Sequence, residues 1–152
     1  MRDRADPKVV EAIGRENMLD PDTAKIDMEA GVEKAFSMGY DRVAVTTPFV
    51  DSAARMRNRY GDRLVIIGVH TTGMSEDDAR RAFDTFDIIT ACASKHLREE
   101  CLRRPDTLVA GNKVPVYGVT PIGKELMQDK LDECGKQAWK PGDPTQYPDP
   151  LI

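Results

Sequence analysis

His70 and Cys92 are the side chains of this sequence best suited to chemistry at neutral pH. His70 directly follows the apolar run Leu64–Val69, and an imidazole is the side chain most often used as a general base. Cys92 stands in Thr90-Ala-Cys-Ala-Ser-Lys95, two residues before a helix cap expected at Ser94. A helix N-terminus and a nearby cation such as Lys95 together lower a thiol's pKa and raise its thiolate fraction. If the two residues lie on adjacent strands they form a nucleophile and base pair, or a two-ligand metal site, which is weak with only two ligands. The plainer alternatives are a histidine bonded to backbone and a small buried cysteine among alanines. Cys101 and Cys134 fall on helical stretches and read as structural. The sequence has no CxxC, no HExxH, no GxGxxG and no Gly-rich phosphate loop, so no metal site is expected and no cofactor is assigned.

Hydroxyl and other polar residues recur where the apolar runs end: Thr46 and Thr47; Thr71, Thr72 and Gly73; Thr90, Ser94 and Lys95; and Thr120. In a parallel sheet these ends share the carboxyl edge, where open α/β folds bind ligands. Helices starting at Pro48, Glu76, Lys95 and Pro121 would turn their amino ends toward the same edge, which favours a small anionic ligand. Ordinary helix capping is the competing explanation for Thr47, Ser75, Ser94 and Thr120.

The elements that position these residues follow from apolar spacing. The runs Val43–Val45, Leu64–Ile67 and Ile88–Ile89 are separated by enough chain for one crossover helix each, over about 48–60 and 76–85, with a third at about 95–103. Phe49, Ala53, Met56 and Tyr60 form the apolar face of the first, and Ala79, Ala82, Phe83 and Phe86 that of the second. Arg55, Arg57 and Arg59 alternate and read as solvated helix charge. Leu108–Ala110 and Val114–Val119 make either a hairpin turned at Gly111-Asn112 or one irregular strand, with Pro115 favouring a sheet edge. A last helix runs from Pro121 to about Cys134 on Ile122, Leu126 and Leu131. Upstream, Asp6-Pro7 opens a short helix, 19–27 forms an ordered loop or an extended crossing, and Asp27 caps a second helix ended by Gly39. The expected fold is a three-layer α/β sandwich with a mainly parallel four- or five-stranded sheet, Rossmann-like. It occupies 1–136 as a single domain, followed by a Pro-rich arm over 137–152 without regular structure that either moves freely or lies on a partner, Trp139 at its root favouring docking.

A net charge of −4 without a basic cluster argues against nucleic acid as the main partner. Apolar runs of about six residues fall far short of the roughly 20 needed to span a bilayer. Three cysteines without a signal peptide point to the cytoplasm.

The blocks Leu19–Asp27, Gly39–Thr46, Val69–Glu76, Asp87–Lys95 and Pro115–Leu126, in that order, resemble the methanogenesis marker protein 8 family of archaea. The resemblance covers about residues 15–130. It implies a cytoplasmic archaeal protein tied to methane metabolism with no established reaction. It also implies a further N-terminal region that this sequence lacks. Two functional expectations follow. One is an accessory or assembly protein that meets a protein partner or a second copy of itself through the C-terminal arm and binds a small anionic ligand or cofactor at the carboxyl edge. The other is a small enzyme using Cys92 and His70 there.

Overall fold

The computed structural model describes residues 5–111, 113–142 and 151. The chain divides into two compact units, Met1–Val43 and Ala44–Ile152.

Local side-chain caps build the first unit. Asp6 accepts from the Lys8 amide at 2.8 Å and Pro7 takes the first helical position, which starts α1 (Pro7–Ile13). In the loop that follows, the Asp20 carboxylate accepts the amides of Asp22 and Thr23, each at 3.0 Å, and the Thr23 hydroxyl. Asp27 caps α2 (Met28–Ser37) through the Ala30 amide at 3.0 Å, and Lys34 reaches back to the Met18 carbonyl. The loop read from turn formers is therefore an ordered one.

From Ala44 onward the second unit holds all but the first residue of β1 (Val43–Thr47), then α3 (Val50–Tyr60), β2 (Leu64–Gly68), α4 (Glu76–Thr85), β3 (Ile88–Thr90) and α5 (Lys95–Leu102). Then come β4 (Leu108–Ala110), β5 (Val116–Gly118) and α6 (Pro121–Glu133). The five strands form one sheet in the order β1-β2-β3-β5-β4. Leu64, Ile66, Phe86, Ile89 and Leu97 are at most 1 % exposed and make the centre of the core. Each such side chain contributes about 1.5–3 kcal/mol by leaving water. Ser75, Ser94 and Thr120 cap α4, α5 and α6 as their spacing predicts.

The expectation of a mainly parallel sheet is overturned. β2 and β3 are parallel, but β5 runs antiparallel to both β3 and β4, so the sheet is mixed. The cause is the short β4–β5 connection: a few residues can return a strand only antiparallel, whereas a parallel neighbour needs a crossover of a dozen or more. Of the two alternatives for this stretch, the hairpin is the one formed, with Gly111 at φ +80° leading into its turn. Asn112, the expected second turn residue, lies outside the described residues. Pro115 does not mark a sheet edge. It precedes the first paired residue of an inner strand, and its carbonyl accepts from the Ala91 amide at 2.8 Å.

Three smaller expectations also change. Phe49 is 62 % exposed, and Val50 fills the core position assigned to it. Met127 at 8 % exposure, rather than Leu126 at 43 %, faces inward from α6. Arg57 is not a solvated charge but pairs with Asp87 at 2.5 Å. The arm docks at its root, since Trp139 and Val109 exchange amide–carbonyl bonds of 2.7 and 3.1 Å along the outer strand β4. The arm's residues 143–150 and 152 lie outside the described residues. Among the described residues, no helix is long and apolar enough to cross a membrane.

Candidate functional site

A groove of about 420 Å³ opens where β1 and β2 end, lined by residues 48–51, 70–75 and Asp78. One wall is the start of α3. There Thr47 is completely buried, and its Oγ1 accepts the Phe49 amide at 3.2 Å. The other wall is the loop from β2 to α4. It leaves the strand through His70, which is exposed and adopts φ +54°, a left-handed conformation unusual for a residue with a Cβ.

Two threonines then fasten this loop to the end of β3. Thr71, 1 % exposed, donates from Oγ1 to the Thr90 carbonyl at 2.7 Å. Thr72 Oγ1 accepts the Ala93 amide at 3.2 Å. Gly73, at φ +76°, turns the chain toward α4 and has open space where a Cβ would stand. A loop pinned at two consecutive residues presents His70 on a fixed backbone, the preorganisation a binding site needs.

The charge on this groove differs from a simple anion cradle. Asp51 and Asp78 both line it, and Arg81 ties them together, meeting Asp51 directly and Asp78 at 3.0 Å. The hydrogen bond from Arg81, and then its charge, hold the Asp51 carboxyl below the usual carboxylate range. The acids in the first turn of α4 occupy the field that a free helix end would offer a ligand.

Cys92 sits on the neighbouring loop and is not among the residues lining the groove with His70. It too is left-handed, at φ +45°, and half-buried. Arg98 holds it there, donating to the Cys92 carbonyl at 2.7 Å and to the Ser94 carbonyl at 2.8 Å. Ser94 is buried and caps α5 through the Leu97 amide at 3.3 Å, while Lys95 turns to Glu99 at 3.7 Å. Thr46 is exposed on β1, and Thr90 contributes its carbonyl to the loop fastening. The sequence elements around residues 46–47, 70–73 and 90–95 thus converge, as sheet-edge logic predicts.

Thr120 does not join them. Because β5 runs antiparallel to β3, the residues after β5 fall at the opposite edge, and Thr120 Oγ1 donates to Asp87 Oδ1 at 2.7 Å, just ahead of β3. The amino end of α6 moves with it. At that edge Asp87, 2 % exposed, also accepts from the Ile66 amide at 2.7 Å and from Arg57 at 2.5 Å. Arg57 donates further to the Gly61 and Leu64 carbonyls at 2.9 and 2.7 Å. Asp87, Arg57 and Arg98 were all missed as organising residues. The available signal was a carboxylate inside the apolar stretch Phe86-Asp-Ile-Ile89, which a buried position tolerates only with partners.

Among the described residues, no three His, Cys, Asp or Glu side chains gather to hold a metal. Cys134 is exposed and Cys101 buried. Burial pushes the Cys101 thiol from 9.0 up to about 12, against a smaller lowering by its hydrogen bond with Tyr117. The folded state therefore binds this proton more tightly than the unfolded state. The corresponding stability is fully present below about pH 9 and is lost as pH rises toward 12. Native protein is expected to leave Cys101 unalkylated up to pH 10, and Cys101→Ala to flatten the loss of stability between pH 9 and 12. An equally steep alkaline loss in that variant counts against the assignment.

A family model described as "Uncharacterized protein conserved in archaea (DUF2099)" matches residues 4–132. An uncharacterized protein of Methanocaldococcus jannaschii is 32% identical over 121 residues, covering 78% of this chain and 42% of that protein. The chain thus spans less than half the length of the curated relative it matches. No solved structure matches.

Proposed function

Because the chain belongs to the archaeal family of uncharacterized proteins DUF2099, whose description assigns no reaction, we propose its function from the groove: it is an accessory or assembly component that binds a small polar ligand, with methanogenesis as its setting. The setting rests on the sequence blocks that resemble the methanogenesis marker family and on similarity to a protein from a methanogen. The binding role rests on one observation, the His70–Gly73 wall fastened to β3 through Thr71 and Thr72 over a groove of about 420 Å³. A small carboxylate or phosphate ester that also carries an amine or hydroxyl would be met at its anionic end by the His70 imidazole and the amino end of α3, and at its donor by Asp51 and Asp78, which Arg81 ties together. The arm rooted at Trp139 is the candidate contact for a protein partner or a second copy.

The enzyme reading requires Cys92 to share the groove with His70, and the lining residues do not support that. The two readings separate in one experiment. The imidazole and amide resonances of 70–75 are followed by NMR while a panel of small carboxylates and phosphate esters is added, and Cys92 is labelled with a thiol reagent in parent and His70→Ala protein. Binding predicts saturable shifts confined to 48–51 and 70–75, abolished by Thr71→Val, with Cys92 labelling at an ordinary thiol rate in both proteins. Absence of any saturable shift sinks the binding role. Fast labelling that slows in His70→Ala restores the enzyme.

A further inference from the structure

The opposite edge of the sheet carries a second groove, of about 430 Å³, between the α5–β4 connection and the start of α6. Arg103, Arg104, Thr107, Thr120 and Lys124 line it, with Asp106 as the acid among them. The two arginines already have carboxylate partners. Arg104 Nε meets the buried Glu100 at 2.8 Å and its NH1 meets Asp84 at 2.9 Å, while Arg103 meets Glu100 at 3.2 Å. Arg104 also lies over the Phe83 ring at 5.8 Å, so its guanidinium is held in place from three sides. Lys124, half-buried in the first turns of α6, makes no ion pair among the described residues.

Thr107 supplies an observation independent of these charges. It is 7 % exposed, and its hydroxyl has no hydrogen-bond partner among the described residues. Its hydroxyl is not among the side-chain oxygens sealed from solvent, and Thr107 lines the groove. A hydroxyl with no partner in the folded chain has its donor and acceptor capacity free for a ligand that enters beside it. Helix α6, thirteen residues long and beginning at Pro121, adds the positive end of its dipole at the same place. Its cap is already internal, since Gly123 donates to Thr120 Oγ1 at 3.3 Å, so the helix offers field more than amides.

We propose that this amino-edge groove is a binding site for a phosphate-bearing small molecule, with Lys124 as the charge partner and the Thr107 hydroxyl as a hydrogen-bond donor. Arg104 flanks it as a cation held by Glu100, Asp84 and the Phe83 ring, and Arg103 as a more exposed one paired with Glu100 and Glu76. The site is separate from the groove at His70 and stands whether or not that groove binds anything.

Inorganic phosphate is the probe. Titrated into the full chain at constant ionic strength, with chloride replacing it in the control, phosphate should produce saturable amide shifts at 103–107 and 120–124. Lys124→Gln should weaken the fitted affinity about tenfold and Thr107→Val several-fold, while Thr107→Ser retains it. Unchanged amide dispersion in the variants establishes that they fold. Shifts that grow linearly without saturating, that fit to an unchanged affinity in Lys124→Gln, or that appear at 70–75 instead would each overturn the proposal.

Discussion

Asp87→Ala is expected to lower folding stability by about 3–5 kcal/mol, the range for removing one partner of a buried ion pair. Three donors lose their acceptor at once: the Ile66 amide in the middle of β2, the Arg57 guanidinium and the Thr120 hydroxyl. Each belongs to a different element, so the carboxylate joins β2, α3 and the start of α6 to the strand it precedes. The Ile66 amide matters most, because it belongs to a residue with no exposed surface and water cannot replace the lost bond. Thr120→Val removes one of the three bonds and should cost about 1 kcal/mol. Urea unfolding of the two variants beside the parent measures this. A loss under about 1 kcal/mol for Asp87→Ala would mean that the carboxylate is not the hub its contacts suggest. Pairing Asp87→Leu with Arg57→Met should recover part of the loss, since two matched apolar side chains leave no buried charge behind.

Gly123→Ala is the second large effect, and its sign runs against helix propensity. Alanine in a helix interior is favoured over glycine by about 1 kcal/mol. At this position a Cβ would overlap the Asp87 carbonyl oxygen and stand 2.7 Å from its carbon, both of them backbone atoms that cannot swing aside. That carbonyl is also the acceptor of the Val119 amide at 2.9 Å, so moving it breaks the entry to α6. Overpacking of this kind costs typically 1–3 kcal/mol and more when backbone must shift. A net destabilisation of at least about 2 kcal/mol is expected, read as a lowered thermal midpoint. Gly31, in α2 with no atom within 4 Å of its missing Cβ, is the internal control: Gly31→Ala should raise stability by about 0.5–1 kcal/mol. If both substitutions shift stability in the same direction, close approach of α6 to the start of β3 is not what holds this edge together.

The elements were legible wherever their causes were local. Asp6, Asp27, Ser75, Ser94 and Thr120 each cap the helix that follows, because a short side chain two or three residues before a free amide needs nothing distant to bond it. The uninterrupted run in β2 correctly marked a strand covered on both faces. Residues 70–73 and 90–95 converge because β2 and β3 are parallel neighbours, and Thr47 joins them through its carbonyl, which accepts the Val69 amide at 3.2 Å. Phe49 was misassigned because apolar character at the start of a helix does not say which way the first turn faces. Arg57 was read as solvated because an i+2 pattern of arginines describes the helix and is silent about a carboxylate thirty residues away.

Membership of one edge or the other was decided only by tertiary structure. Thr47, Thr90 and Thr120 look alike in the chain, each a hydroxyl closing an apolar run. Thr120 parts from the others because β5 enters the sheet between β3 and β4 with its direction reversed. Strand direction depends on which neighbour a segment finds and on how short the connection to it is. Neither is a property of the residues that end the strand. The same reversal takes the amino end of α6 away from His70 and gives it to Asp87, Thr107 and Lys124, so the chain carries two polar grooves at opposite edges where a parallel sheet would have had one.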